Sequence, residues 1–199
     1  MDSEASRGDI QLPYVNRAGG LPLRDAMSRR SSSRKFANTP LDLQMIADLL
    51  WSGFGVNRPD DGGRTAPSAR NWREIDIYVT LATGVYRYDP LLNRLEFIAA
   101  EDVRAATGVQ DFVAEAPLNL VFVADHARLE GASAAQRDLF AAADAAFIAQ
   151  NVYLFCAAEG LATVVRALID RPALAKALHL ARNQHVVLAQ SVGFPAPST

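Results

Sequence analysis

Apolar side chains first recur at helical spacing at Leu43, Ile46, Ala47, Leu50 and Trp51, which predicts an amphipathic helix with one buried face. Thr39 is its expected N-cap, Pro40 suits the first helical position, Asp42 complements the positive helix end, and Gly53 and Gly55 close it. Ahead of it, residues 21–30 predict a short helix with Pro22 in its first turn. Residues 1–20 are polar and end in Gly19-Gly20, so they read as an extended or partly ordered arm before a single domain, 21–199. Residues 57–63, rich in Pro, Asp and Gly, are expected to form a flexible loop. The periodicity then changes. Residues 75–81 are dominated by β-branched and aromatic side chains and predict a strand, and residues 85–88 and 94–98 flank Asp89-Pro90-Leu91-Leu92-Asn93 as a hairpin with a five-residue loop. Tyr and Arg side chains in that hairpin read as cross-strand packing. Residues 101–107 and 110–115 predict short helical turns, and the almost wholly apolar run 118–124 predicts a buried strand.

The longest helix is expected over 134–160, carrying Phe140, Ala143, Phe147, Asn151, Leu154, Phe155 and Ala158 at steps of three and four. Ala, Phe and Val populate its other faces too, which marks a central helix. Asp138, Asp144, Gln150 and Asn151 interrupt it too often for a membrane span. It is either the core helix of a monomer or, the favoured reading, one whose alanines also let a second copy approach. Residues 161–165 predict a strand, 171–180 a helix with Pro172 at its start, and 186–192 a last strand ending at Gly193-Phe194-Pro195. Strands and helices are interspersed without strict alternation, which gives an α+β class.

Composition narrows the function. The 199 residues carry a net charge of −2, which argues against a nucleic-acid binder, and half of them are hydrophobic, which suits an ordinary globular core. The single cysteine, Cys156, lies in an apolar run and reads as a small buried hydrophobe in a reducing compartment. With no apolar centre of a signal peptide near Met1, the expected location is the cytoplasm. His126, His179 and His185 show no metal-ligand spacing, so no metal site is expected. Neither a Gly-x-Ser-x-Gly elbow nor a Gly-x-Gly-x-x-Gly fingerprint is present.

One stretch concentrates chemistry. In Arg29-Arg30-Ser31-Ser32-Ser33-Arg34-Lys35-Phe36, four cations and three hydroxyls fall within eight residues. Guanidinium forks, hydroxyls and backbone N–H groups together match the oxygens of a phosphate, although a solvated basic turn would have the same composition.

That run, followed by Leu49-Leu50-Trp51 with Gly55, and by Arg64-Thr65-Ala66-Pro67-Ser68-Ala69 leading into Ile75-Asp76-Ile77-Tyr78-Val79, resembles the flavin-dependent nitroreductase family over residues 21–195. The resemblance implies a mostly antiparallel sheet flanked by helices, in a homodimer with FMN held between the subunits. It implies Arg30 and Ser32 on phosphate or ribityl oxygens, with Ser31 assisting, and Arg34 at the N1 and C2-carbonyl edge, where a cation stabilises the reduced ring. Pro67, Ser68, Ala69 and Asn71 match the family's turn that touches the flavin from the partner subunit, and Gln110 is a candidate for the polar edge of the ring. Val165, Arg166, Ala167 and Leu168 match the loop whose backbone lies along the isoalloxazine face.

The chain departs from the family at two places. Arg166-Ala167-Leu168 stands where relatives often have Gly; Arg166 would either meet substrate or phosphate, or form a surface ion pair with Asp170. After Phe194-Pro195 the sequence supplies no cation, where many relatives close on the phosphate with basic residues; Arg29 or Arg24 would have to compensate. The activity implied is ping-pong transfer from NADH or NADPH to a nitroaromatic, quinone or enone. The motifs look closest to the subgroup that includes azoline-oxidising dehydrogenases of peptide tailoring, which rely on an adjacent Lys-Tyr pair. Here neither Lys35 nor Lys176 precedes a Tyr, which disfavours that activity. A non-catalytic protein that sequesters flavin or another phosphorylated ligand is the rival reading.

Overall fold

The computed structural model describes residues 8–197, so the first seven residues of the expected arm lie outside the description. Within the arm, β1 (Ile10–Gln11) adds an edge strand to the main sheet and Leu12 enters the core at 3% exposure, so this part of the arm is built into the domain. Helix α1 (Leu23–Arg29) is shorter than its pattern predicts, because Pro22 takes the N-cap position. Helix α2 (Leu43–Phe54) starts later than expected. Its cap is Asp42, whose carboxylate accepts the Met45 N–H at 2.8 Å, so Thr39 is not the cap and Leu43 is left largely exposed. The buried face is instead Ile46, Ala47, Leu49, Leu50 and Phe54.

The expected loop at 57–63 is partly a two-stranded ribbon of β2 (Val56–Arg58) and β3 (Gly63–Arg64). The strand and hairpin follow as β4 (Ile75–Leu81), β5 (Gly84–Asp89) and β6 (Arg94–Ala99). After the single turn α3 (Phe112–Glu115) come β7 (Leu118–Asp125), the long helix α4 (Ala134–Glu159), β8 (Ala162–Arg166), α5 (Arg171–Ala177) and β9 (Gln184–Gly193). Seven strands form one antiparallel sheet in the order β1-β6-β5-β4-β7-β9-β8. This is the expected α+β class, with a central antiparallel sheet flanked by helices.

The apolar run of β7 is explained by burial on both faces. Leu118, Leu120, Phe122 and Ala124 belong to the cluster under α2 and α4, whereas Val121 and Val123 pack with Ile169, Leu174 and Leu178 around α5. Helix α4 begins in a capping box between Ser133 and Gln136 and ends at the left-handed Gly160. It is long and apolar enough to cross a membrane by composition, but it lies on the sheet with Ala141, Ala145, Ile148, Val152 and Cys156 buried. Gly53 lets α2 approach it closely; a Cβ there would stand 3.3 Å from Val152 Cγ2. Burial pushes the Cys156 thiol well above its usual pKa, as expected of an unreactive core cysteine.

Candidate active site

The basic loop lies along the exposed edge of β8. Ser33 N–H donates to Thr163 O at 2.9 Å, Ala37 N–H donates to Phe194 O at 2.9 Å, and Phe36 bridges to Pro195. An open strand edge would otherwise leave polar backbone unpaired, so the loop also completes the sheet. Phe36 sinks beneath it against Ala116, Ala162, Val164 and the Phe112 ring, a burial worth about 1.5–3 kcal/mol. Arg30, Ser31, Ser32 and Arg34 remain exposed, and among the described residues no carboxylate lies within ion-pair distance of them.

Tyr153 organises this surface, and the sequence reading did not single it out. Its phenol on α4 accepts the Val165 N–H at 3.0 Å and meets Ser32 Oγ at 2.8 Å, while the Arg30 guanidinium lies 5.3 Å over its ring. Because Val165 fills an acceptor position, the phenol proton is free for Ser32 Oγ, and the Ser32 hydroxyl proton is then free for an anion. The Val165 N–H is thereby consumed, which leaves Ala167 and Leu168 as the exposed part of that loop. Leu168 O accepts the Val109 N–H at 3.4 Å, so the Gln110 loop and the 165–168 loop stand side by side.

Arg166 requires a correction. Its guanidinium is buried and donates to Ser191 Oγ at 2.8 Å and to Thr107 Oγ1, Thr107 O and Asn119 Oδ1 at 2.7, 3.2 and 3.0 Å. The surface pair with Asp170 does not form; that carboxylate caps α5 through the Ala173 N–H. A side chain spent on the interior is withdrawn from substrate and phosphate alike. Burial with no carboxylate beside it lowers the Arg166 pKa to about 10.

The turn at 67–71 is held differently. Ala69 N–H donates to Asp144 Oδ2 at 2.9 Å, Ser68 Oγ donates to Glu74 Oε2 at 3.3 Å, and Arg73 N–H donates to Ser68 Oγ at 2.8 Å. Glu74 and Asp144 are both buried, at 0% and 2% exposure, and burial followed by the neighbouring Asp144 pushes the Glu74 pKa up to about 7. Arg70, Asn71 and Arg73 all adopt left-handed backbone, with φ of 48°, 57° and 53°. Non-glycine residues there cost about 1–3 kcal/mol each and persist where surrounding structure enforces them. Pro67 and Asn71 are exposed beside this strained segment, with Asn71 Oδ1 accepting the Arg73 Nε–H at 2.8 Å.

Both regions hang on α4. Asp144 and Tyr153 are nine residues apart, which is about 13.5 Å along the axis at 1.5 Å per residue. Within one chain the turn and the basic loop are therefore separate surfaces. Between and beside them α4 exposes Leu139, Ala142, Ala146 and Phe147, and α1 exposes Leu23 and Met27.

An antiparallel sheet backed by a long central helix, with a cationic loop on its edge strand, defines the class of protein; comparison with known proteins then gives the family. The nitroreductase family model matches residues 26–194, and the chain belongs to that family of oxidoreductases. A candidate nitroreductase of Ralstonia eutropha JMP134 has a solved structure that superposes with a TM-score of 0.94 at 43% identity, covering 99% of this chain and 93% of that one. A candidate nitroreductase of Methanocaldococcus jannaschii is 30% identical over 166 residues, 78% of this chain and 82% of that protein. A chain of the Escherichia coli microcin synthetase McbBCD complex shares the fold, with a TM-score of 0.73 at 19% identity over 94% of this chain and 79% of that one.

Proposed function

We propose that this protein is an FMN-dependent oxidoreductase that works as a homodimer and passes hydride from NADH or NADPH to a small nitroaromatic, quinone or enone. The observation that carries the reading is the basic loop: cations and hydroxyls kept in the open, unpaired with acids among the described residues, on a segment held by Thr163, Phe194 and Pro195 and by the Tyr153 phenol. A solvated surface turn needs no buried Phe36 and no Tyr153 beneath it.

Bound FMN would supply the redox chemistry, hydride transfer between the reduced nicotinamide and the acceptor in ping-pong order. The chain supplies position and charge. Arg30, Ser31 and Ser32 hold phosphate and ribityl oxygens, with Arg30 oriented by its stack on Tyr153 and Ser32 by the phenol. Arg34 brings fixed positive charge to the pyrimidine edge, where negative charge gathers on reduction. Gln110 and the exposed backbone of Ala167 and Leu168 are the groups that would meet the ring. Pro67, Ser68, Ala69 and Asn71 would come from the second copy, because within one chain the residues that hold the turn and the loop, Asp144 and Tyr153, stand about 13.5 Å apart along α4. The exposed Leu139 and Phe147 of α4 and Leu23 and Met27 of α1 are the apolar surface that such a dimer covers.

The C-terminal segment runs past the loop, with Ala196 N–H donating to Lys35 O at 3.3 Å. Purified protein mixed with FMN should take up the visible absorbance of oxidised flavin, run as a dimer on calibrated gel filtration, and oxidise NADH or NADPH with menadione as acceptor. Protein that stays colourless after incubation with excess FMN would refute the reading, and flavin-loaded protein with no turnover would leave a flavin carrier.

A further inference from the structure

Glu74 and Asp144 are two buried carboxyl groups that the flavin reading does not use. They come from opposite sides, Glu74 from the residue before β4 and Asp144 from the middle of α4, and meet under the 67–71 turn. Each grips that turn, Asp144 through the Ala69 N–H and Glu74 through the Ser68 hydroxyl. Glu74 Oε1 is buried with no hydrogen-bond partner among the described residues.

The neighbouring charges are spent elsewhere. On the turn, Arg70 lies over the Trp72 ring and Arg73 donates to Asn71 Oδ1 and Asp61 O. On β4, Asp76 is held by both terminal nitrogens of Arg128, which also reaches Asp125 at the end of β7. Beyond them stand His126, after β7, stacked on His185, and on α4 Arg137 and Asp138, about two turns before Asp144. No cation forms an ion pair with Glu74 or Asp144 among the described residues. Two buried carboxylates at one place without a cation cannot both be ionised cheaply, and one proton between them removes the conflict.

We propose that Glu74 keeps a proton because Asp144 lies beside it, and that the two act as positioning residues for the 67–71 turn, holding its strained shape while Glu74 is protonated and releasing it when that proton leaves. The proposal rests on the flavin reading for its consequence: the turn faces the cofactor of the other copy, so FMN affinity falls as pH rises through neutrality. The phosphate of FMN itself titrates near pH 6 and, facing arginines, acts with the opposite sign, tightening binding as pH rises. The direction therefore separates the two.

Trp72 adjoins the turn, stacked on Phe140, and reports on it once the other tryptophan is removed. In full-length Trp51→Phe protein, Trp72 emission without ligand and the FMN dissociation constant are measured from about pH 5.5 to 8.5. The emission should titrate once, and the dissociation constant should rise about fivefold over the same interval, the low end of usual site-to-site coupling. Adding Glu74→Gln, which keeps a donor toward Asp144 without a titrating proton, should abolish the emission change and the rise in dissociation constant, leaving only the tightening that the phosphate titration brings. Should that variant fail to fold by circular dichroism, Asp144→Asn, which still accepts from Ala69 N–H, removes the neighbouring charge but leaves Glu74 buried, and should move both changes to lower pH. An unchanged titration in the neutralised variant, or FMN binding that is flat or tightens across the interval in the reference protein, overturns the proposal while leaving the flavin reading intact. A Glu74-dependent Trp72 titration in protein that never binds FMN does the reverse.

Discussion

The basic loop and the 67–71 turn are assigned to one cofactor site, yet they are built on opposite principles. The loop keeps its charges outside and is secured by uncharged groups: backbone bonds to Thr163 and Phe194, the buried Phe36 ring, and the Tyr153 phenol. The turn is secured from below by buried acids, Glu74 and Asp144, and stores strain in Arg70, Asn71 and Arg73. A surface meant to receive an anion has to leave its cations unsatisfied, so its stability must come from elsewhere. A surface that presents backbone and one hydroxyl has no such need, and polar groups beneath can hold it.

The sharpest way to break this contrast is to remove an anchor from each region. Asp144→Ala strips the Ala69 N–H of its partner in a buried place and should cost about 3 kcal/mol of stability, read by urea unfolding. Arg30→Ala should change stability by less than about 0.5 kcal/mol, as exposed substitutions do, while weakening FMN binding about tenfold or more, since hydrogen bonds to charged groups are worth about 1.5–3 kcal/mol. Equal stability losses in the two variants would erase the distinction. Tyr153→Phe removes the bonds to Ser32 and to Val165 N–H and should combine both signatures at smaller size, about 1 kcal/mol in unfolding with a modest loss of FMN affinity. Arg34→Ala should be the mildest for binding and is distinguished by kinetics: flavin is retained, but its reduction by NADH or NADPH in stopped flow is slower.

Stability itself should carry the mark of the acid pair. The folded pKa of Glu74 lies near 7, above its ordinary carboxylate value, so between the two the folded chain holds a proton that the unfolded chain has released. Stability therefore falls as pH rises through that window and levels off above it. Glu74→Gln should flatten that slope in thermal melts, whereas Arg30→Ala should leave it unchanged.

Much of the architecture could be read from residues in order, since period and turn chemistry act locally. The strand at 75–81, the hairpin around 89–93 and the ends of α4 stand where apolar spacing and Gly160 put them. Local rivals misled where two signals competed: Thr39 and Asp42 could both cap α2, and the carboxylate took the position. The ribbon of β2 and β3 was hidden because Pro and Gly mark a bend without saying whether its arms pair. At the proposed site, the exposed members were legible from composition, since Arg30, Ser31, Ser32 and Arg34 fall within five residues of one another. Their supports were not. Tyr153, Thr163, Glu74 and Asp144 are scattered over ninety residues, and Asp144 looked only like an interruption in an apolar helix.

The chain by itself determined most of the segments that become helices and strands, the cationic and hydroxyl-rich character of the basic loop, and the kinship that its motifs carry, because these depend on neighbours in sequence. The three-dimensional packing alone decided that Arg166 turns inward, that a phenol on α4 sets Ser32, and that two acids meet beneath Ser68. Burial and long-range pairing fix what a polar side chain does, and both arise only when distant segments are brought together.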